Sequence, residues 1–166
     1  LLFIAVIAVI VAGSCLALGA AEGIIASAPD VSTIDVSPEG YATKIYDDGG
    51  NEIQTLSTSG SNRIYVDVED IPITLQHAFI AIEDERFYEH NGIDVRGIAR
   101  AGMKAITTGN FSEGASTITQ QLLKNNVFTN WTNESTQVER FTRKLQEQFL
   151  AVEIEKKISD KNVILE

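Results

Sequence analysis

Three groups of side chains in this sequence have the types and spacing that chemistry needs. The first is Glu83-Asp84-Glu85-Arg86-Phe87-Tyr88-Glu89-His90-Asn91-Gly92. On a continuous helix, Glu83 lies one turn beyond Phe79 and one turn before Phe87, and His90 faces the same side. A carboxylate half-buried beside aromatic carbon has its charged form disfavoured, which suits a general acid or base. The plainer reading is a solvated acidic helix end. The second group is Gly114-Ala115-Ser116-Thr117-Ile118-Thr119-Gln120-Gln121, with Lys124 one turn further on. A glycine followed by hydroxyls at a helix start leaves backbone N–H groups and positive dipole free for a phosphate, although the Gly-Lys-Ser/Thr ending of a Walker loop is absent. An ordinary capped helix has the same pattern. The third group, Arg140, Arg143, Lys144 and Glu147, is spaced i, i+3, i+4, i+7. It reads either as a solvated face with an Arg143–Glu147 pair or as a cationic wall that holds a diphosphate beside a second carboxylate.

The elements that must position these groups follow from the hydrophobic pattern. Leu75, Ala78, Phe79 and Ile82 give a helical stripe from Thr74 onward. Gly92, Gly97 and Gly102 puncture the next segment, yet Ile93, Gly97, Arg100 and Lys104 fit one helix face. Residues 109–114 read as a loop. Thr117-x-x-Gln120 is a capping-box pattern opening a helix to about Asn126. A long helix is expected over about 134–157, its apolar stripe Val138, Phe141, Leu145, Phe149 and Val152, with the charged group opposite. Ser159 then caps a further helix. Upstream, 42–46 and 53–56 flank Asp47-Asp48-Gly49-Gly50, a hairpin signal, and 63–68 reads as a third strand.

The N-terminal 21 residues carry no charge and are dominated by Leu, Ile, Val and Ala. At 1.5 Å per residue the run spans roughly 30 Å, the hydrocarbon thickness of a bilayer. A buried core helix and a cleaved signal peptide are the rivals. The run is apolar on every side and longer than a signal core, so an uncleaved anchor is expected. Cys15 after Ala12-Gly13-Ser14 is too deep in the run for a lipoprotein site. The acidic residues Glu22, Asp30, Asp35 and Glu39 precede the first basic one, Lys44, consistent with an external domain. Residues 22–42, rich in Ala, Ser, Pro and Gly, read as a stalk. The net charge of −10 argues against nucleic acid as a partner. A single cysteine says nothing about redox compartment. The sequons at Asn110, Asn130 and Asn133 arise easily by chance and carry no function.

In this order the three groups resemble the family 51 glycosyltransferase domain of class A penicillin-binding proteins and monofunctional peptidoglycan transglycosylases. Glu83, Asp84, Phe87, His90 and Gly92 match E-D-x-x-F-x-x-H-x-G. Gly114 to Gln121, then Leu122, Lys124 and Asn125, match G-x-S-T-I-T-Q-Q followed by L-x-K-N. Arg143, Lys144 and Glu147 match R-K-x-x-E, and Lys161, Ile164, Leu165 and Glu166 begin a fourth motif. The resemblance covers about 75–166.

It implies a mainly α fold: a lysozyme-like helical lobe (73–166), a stalk and small β element near the membrane (22–72) and one transmembrane helix (1–21). It implies polymerisation of lipid II into β-1,4 glycan strands, with inversion and release of undecaprenyl diphosphate. Glu83 would be the base on the acceptor hydroxyl and Glu147 the second catalytic carboxylate. Asp84, Phe87, His90, Ser116, Thr117, Gln120, Gln121, Lys124, Arg143 and Lys144 would contact substrate. A divalent cation, Mg or Mn, would assist the leaving diphosphate, with Glu147 as its ligand, and no organic cofactor is expected. Partners would be lipid II, the growing glycan chain, the membrane and the cell-wall synthesis machinery. The protein would be single-pass, with its catalytic domain extracytoplasmic. A transpeptidase domain follows in bifunctional members, but no Ser-x-x-Lys motif lies within these residues. A lysozyme-like lytic enzyme or muramidase and a non-catalytic lipid II-binding module are the alternatives.

Overall fold

The computed structural model describes residues 2–36, 42–56, 63–109 and 114–166. Its N-terminal helix α1 (Leu2–Ala26) has no buried residue over its 25 positions. Such a helix is roughly 37 Å long, and its length and composition suffice to cross a bilayer. It runs past residue 21, because Gly23-Ile24-Ile25-Ala26 continues the apolar sequence without a breaker.

The segment after it is no free stalk as far as it is described. Ala28, Val31, Ile34 and Val36 pack against a core of Leu123, Leu150, Ala151 and Ile154. Asn126 Nδ2 also donates to the Val36 carbonyl at 3.0 Å. An Ala- and Ser-rich composition concealed this, because the apolar residues come at irregular spacing.

The hairpin forms as expected. Strands β1 (Thr43–Tyr46) and β2 (Glu52–Leu56) pair antiparallel, Thr43 opposite Leu56, with a register shift between Ile45 and Tyr46. Asp47 Oδ1 gathers the turn, accepting from Gly49 N at 2.9 Å and Asn51 N at 2.7 Å. Gly50 supplies the positive φ of +79°. The expected third strand is absent: among the described residues the sheet has two strands, and 64–67 is irregular chain leading to a 3₁₀ turn at Val68–Asp70.

The lobe is helical. Helix α2 (Ile73–Glu83) follows Pro72 and ends one residue before Asp84, whose φ −159°, ψ 74° leaves the helical region. A 3₁₀ turn at Phe87–Glu89 comes next, so Glu83, Phe87 and His90 do not share one continuous helix. The expected inward stripe also fails: Leu75, Phe79 and Ile82 are exposed, and Ile80 is the buried residue. Ile80 joins Phe87, Ile118 and Ile164 in a second core.

Helix α3 (Val95–Thr108) runs through Gly97 and Gly102 and ends on Gly109 at φ +66°. Most of the expected loop after it, including the Asn110 sequon, lies outside the described residues. Asp94 caps α3 by accepting from Gly97 N at 2.9 Å. Arg86 grips the same carboxylate, Nη2 to Oδ2 at 2.5 Å and Nε to Oδ1 at 3.3 Å. Arg86 foremost, then the Gly97 amide, hold the Asp94 carboxyl below its ordinary range. Such a group stabilises the fold fully above its unfolded pKa of about 3.9, and that contribution is lost as pH falls through the lower folded value. Asp94→Ala is therefore expected to cost about 1–2 kcal/mol at pH 7. Denaturant titrations should show the gap between wild type and variant closing below about pH 4. A gap that persists undiminished at pH 2 would contradict this account.

Helix α4 (Ile118–Asn126) is capped by Thr117, whose hydroxyl accepts from Gln120 N at 3.2 Å. The reciprocal half of the box does not form, because Gln120 Nε2 donates instead to the Gly92 carbonyl at 3.3 Å. A 3₁₀ helix at Thr129–Asn133 precedes α5 (Gln137–Lys157), which has a complete capping box between Thr136 and Glu139. Helix α6 (Lys161–Leu165) is capped by Asp160 rather than Ser159.

The phase of α5 is the largest departure from expectation. Val138 and Phe141 stand in solvent, while Gln146, Glu147, Leu150, Ala151, Ile154 and Glu155 are buried. Of the two readings of the charged face, the solvated one fails over part of its length, where Arg143 and Glu147 turn inward. Burial of those charges is tolerable because each finds an opposite partner.

Candidate active site

The last residue of α2 supplies the exposed carboxylate of the site. Glu83 accepts from Gln121 Nε2 at 2.7 Å through Oε2, which ties the end of α2 to the first turn of α4. The half-buried setting expected from the sequence is not found, because α2 presents Glu83 to solvent. Its availability to a substrate hydroxyl now rests on that exposure. Beside it, Asp84 is buried. Its oxygens lie 2.9 and 3.0 Å from His90 Nε2, and Oδ2 also accepts from Ile118 N at 3.1 Å. The carboxyl group thus sits on the first amide of α4, where the helix dipole favours negative charge. Asp84 holds the 83–90 loop in place and has no free oxygen to offer a substrate.

Gly92 closes this loop against α5. Its φ is +82°, and its carbonyl accepts from Thr117 Oγ1 at 2.8 Å. Thr117 and Gln120 are consequently buried beneath the loop. Phe87 is fully buried as well, with Lys161 Nζ 4.6 Å from its ring centroid. These three residues, expected to contact substrate, instead build the wall behind the site. Ser116 and Gln121 remain partly accessible. Lys124 lies over the Trp131 ring at 4.6 Å.

The charges of α5 form a chain of alternating sign that ends at Ser116. Glu147 has no exposed side-chain surface; Arg143 Nη1 donates to its Oε1, and Lys144 Nζ donates to its Oε2 at 2.7 Å. Lys144 Nζ also donates to Ser116 Oγ at 3.1 Å. The remaining edge of Arg143 is taken by Glu134: Nε to Oε1 at 2.5 Å and Nη2 to Oε2 at 3.1 Å. Glu134 foremost, with Glu147, raises the Arg143 guanidinium above its ordinary range. Arg143 is 12% exposed and Lys144 41%, so Lys144 is the cation of this pair that can meet a ligand. The expected double cationic wall reduces to one ammonium.

The described residues do not fit the divalent cation expected at Glu147. Both oxygens of Glu147 already accept from cationic donors, and the carboxylate is sealed from solvent. Among the described residues no three His, Cys, Asp or Glu side chains are grouped to hold a metal. Expected as a catalytic carboxylate and metal ligand, Glu147 is here buried and paired through one oxygen with Arg143 and through the other with Lys144.

Two adjoining cavities share Ser116. One is lined by Glu83, Arg86, Arg100 and the 114–117 segment; the other by Ile98, Ala101, Ala105, Gln120, Lys144 and Gln148. Ser116 therefore stands between the exposed carboxylate and the accessible ammonium. A further cavity, about 500 Å³, lies on the other side of Gln121 among Phe79, Leu122 and the 163–166 segment, and is mostly apolar.

Sequence reasoning missed Glu134, Trp131, the Arg86–Asp94 pair and Glu155. Buried Glu155 accepts from Thr119 Oγ1 and pairs with Lys161 at 2.5 Å. Of these only Asp94 left a signal, an Asp immediately before a helix-compatible run.

The helical lobe thus sets an exposed carboxylate, Glu83, and a braced ammonium, Lys144, on either side of Ser116. The transglycosylase family model matches residues 49–166, and the chain belongs to that family. It is similar to penicillin-binding protein 1A of Clostridium novyi (strain NT), 41% identical over 152 residues that cover 89% of this chain and 17% of that protein. Penicillin-binding protein 1A of Clostridium tetani (strain Massachusetts / E88) is 34% identical over 99% of this chain and 20% of its own length. Penicillin-binding protein 1F of Bacillus subtilis (strain 168) is 43% identical over 75% of this chain and 16% of its own length. The chain spans a fifth or less of these curated relatives.

Proposed function

We propose that the chain carries the peptidoglycan glycosyltransferase activity of a membrane-anchored cell-wall synthase and polymerises lipid II. The observation that carries this reading is the placement of Glu83 and Lys144 on either side of Ser116. Glu83 takes the proton from the 4-hydroxyl of the acceptor's GlcNAc. That oxygen attacks the anomeric carbon of the donor's MurNAc, the bond from that carbon to the diphosphate oxygen breaks, and a β-1,4 bond forms with inversion. Undecaprenyl diphosphate leaves with the bonding pair, and Lys144 and Ser116 stabilise the charge developing there. A positioned base and a preorganised cation are the two contributions such a displacement requires.

Helix α1 supports anchoring, and the lobe is assigned to the extracytoplasmic side, where a lipid-carried donor and the growing glycan meet it among the cell-wall synthesis machinery. A lytic enzyme or muramidase is the competing reading. Glycosidases flank the scissile bond with two carboxyl groups. Here the second carboxylate, Glu147, is sealed behind Lys144, which favours transfer from a diphosphate. Incubating the anchored protein separately with labelled lipid II and with finished glycan strands tests this. Chain growth on lipid II is expected; shortening of the strands without growth would overturn it.

A further inference from the structure

Arg143 has two edges to offer and two carboxylates competing for them. Glu134 occupies the Nε–Nη2 edge with both oxygens, and Glu147 receives Nη1 alone. The second oxygen of Glu147 is thereby left for Lys144. Guanidinium and carboxylate prefer a two-point, fork-to-fork pairing. Without Glu134, that preference would turn Arg143 onto both oxygens of Glu147, and Lys144 would lose the acceptor that holds it beside Ser116. All three charged groups of the Glu134–Arg143–Glu147 chain are at least 86% removed from solvent, so water cannot readily replace a lost partner.

We infer that Glu134, outside every motif of the sequence, is a positioning residue that sets where Lys144 points by occupying one edge of Arg143. The inference rests on the reading of Lys144 as the cation at the diphosphate. Glu134 lies at the junction between the 3₁₀ helix at Thr129–Asn133 and α5. Chain geometry at that junction therefore adjusts the cation at the far end of the relay.

A double-mutant cycle separates this role from a merely structural one. Glu134→Gln, Lys144→Met and the double variant are made in the anchored protein in detergent. Two quantities are read: kcat and KM on lipid II, and binding of inorganic pyrophosphate by calorimetry. Glu134→Gln is expected to lower kcat about tenfold and to weaken pyrophosphate severalfold. In the Lys144→Met background it should change either quantity less than about twofold. Glu134→Asp, which keeps the charge, should recover part of both. Equal losses from Glu134→Gln in the two backgrounds would overturn the inference, as would no loss in either. Absence of chain growth by the unaltered protein would overturn the polymerase reading instead, and the pyrophosphate cycle would still decide the role of Glu134. Failure of the unaltered protein to bind pyrophosphate would overturn the reading of Lys144 as the cation at the diphosphate, and the inference with it.

Discussion

Replacing Glu83 with Gln is expected to lower the rate of glycan chain growth about 10²–10⁴-fold, the usual worth of a positioned general base. The amide keeps the length of the side chain and can still accept from Gln121 through its oxygen. The first turn of α4 should therefore stay in place, and what is removed is the capacity to take a proton. Because Glu83 is exposed at the end of α2, the substitution buries no new polar group and should leave the thermal midpoint unchanged within experimental error. Binding of lipid diphosphate should survive, since the charges that meet it lie on the Lys144 side of Ser116. Initial rates on lipid II, with binding measured in parallel, check the expectation. A variant that retains more than about a tenth of wild-type kcat would move the base to another group.

The second large effect is on stability. Gly92→Ala places a Cβ 2.4 Å from the Ala151 carbonyl oxygen and 2.8 Å from Val152 N. Both obstacles are backbone in the middle of α5, so no rotamer change relieves the contact. The residue must also hold φ +82°, which a side chain disfavours. Strain and overpacking together should cost about 3–5 kcal/mol, a large share of the stability of a lobe this size. Chemical denaturation of the anchored protein would measure it; a loss under about 1 kcal/mol would mean that the loop can lift off α5 freely. The glycine ending the first motif is thus a packing requirement, since Thr117 and Gln120 bond to a carbonyl that only this close approach brings to them.

The sequence disclosed those features whose causes are local. Asp47 to Gly50 specify a turn by their own side chains and backbone freedom, and the hairpin followed. Thr117 caps whichever helix comes after it. Features decided by distant partners were misjudged. The apolar stripe of α5 pointed Val138 and Phe141 inward, yet the buried face carries Glu147, paired with Arg143 and Lys144 on the same helix, and Glu155, paired with Lys161 of α6. Periodicity weighs hydrophobicity alone and has no means of crediting a charge that is neutralised by a partner. The same limit explains Glu134, nine residues from Arg143 with a helix start between them. Glu83 was singled out on the premise of a continuous helix to His90. The helix stops at Glu83, which lies with Phe79 and Ile82 on the exposed part of α2. The order of the motifs named the family, but their residues divide between those that face the cavity and those that support it, and only the coordinates separate the two sets.

Gln146 gives the anchor a say in the chemistry. Its amide donates to the Ile24 carbonyl and to Ser27 Oγ at the end of α1, at 3.1 and 3.0 Å, and it is the residue immediately before Glu147. The apolar rod α1 and the carboxylate that holds Lys144 are therefore joined by a single peptide bond and two hydrogen bonds. A helix tilts to match the thickness of the lipid around it, and a tilt of this rod would be felt first at Gln146. Any change in how α1 is seated against the lobe would thus reach Glu147, and through it the Lys144 ammonium, by way of one side chain.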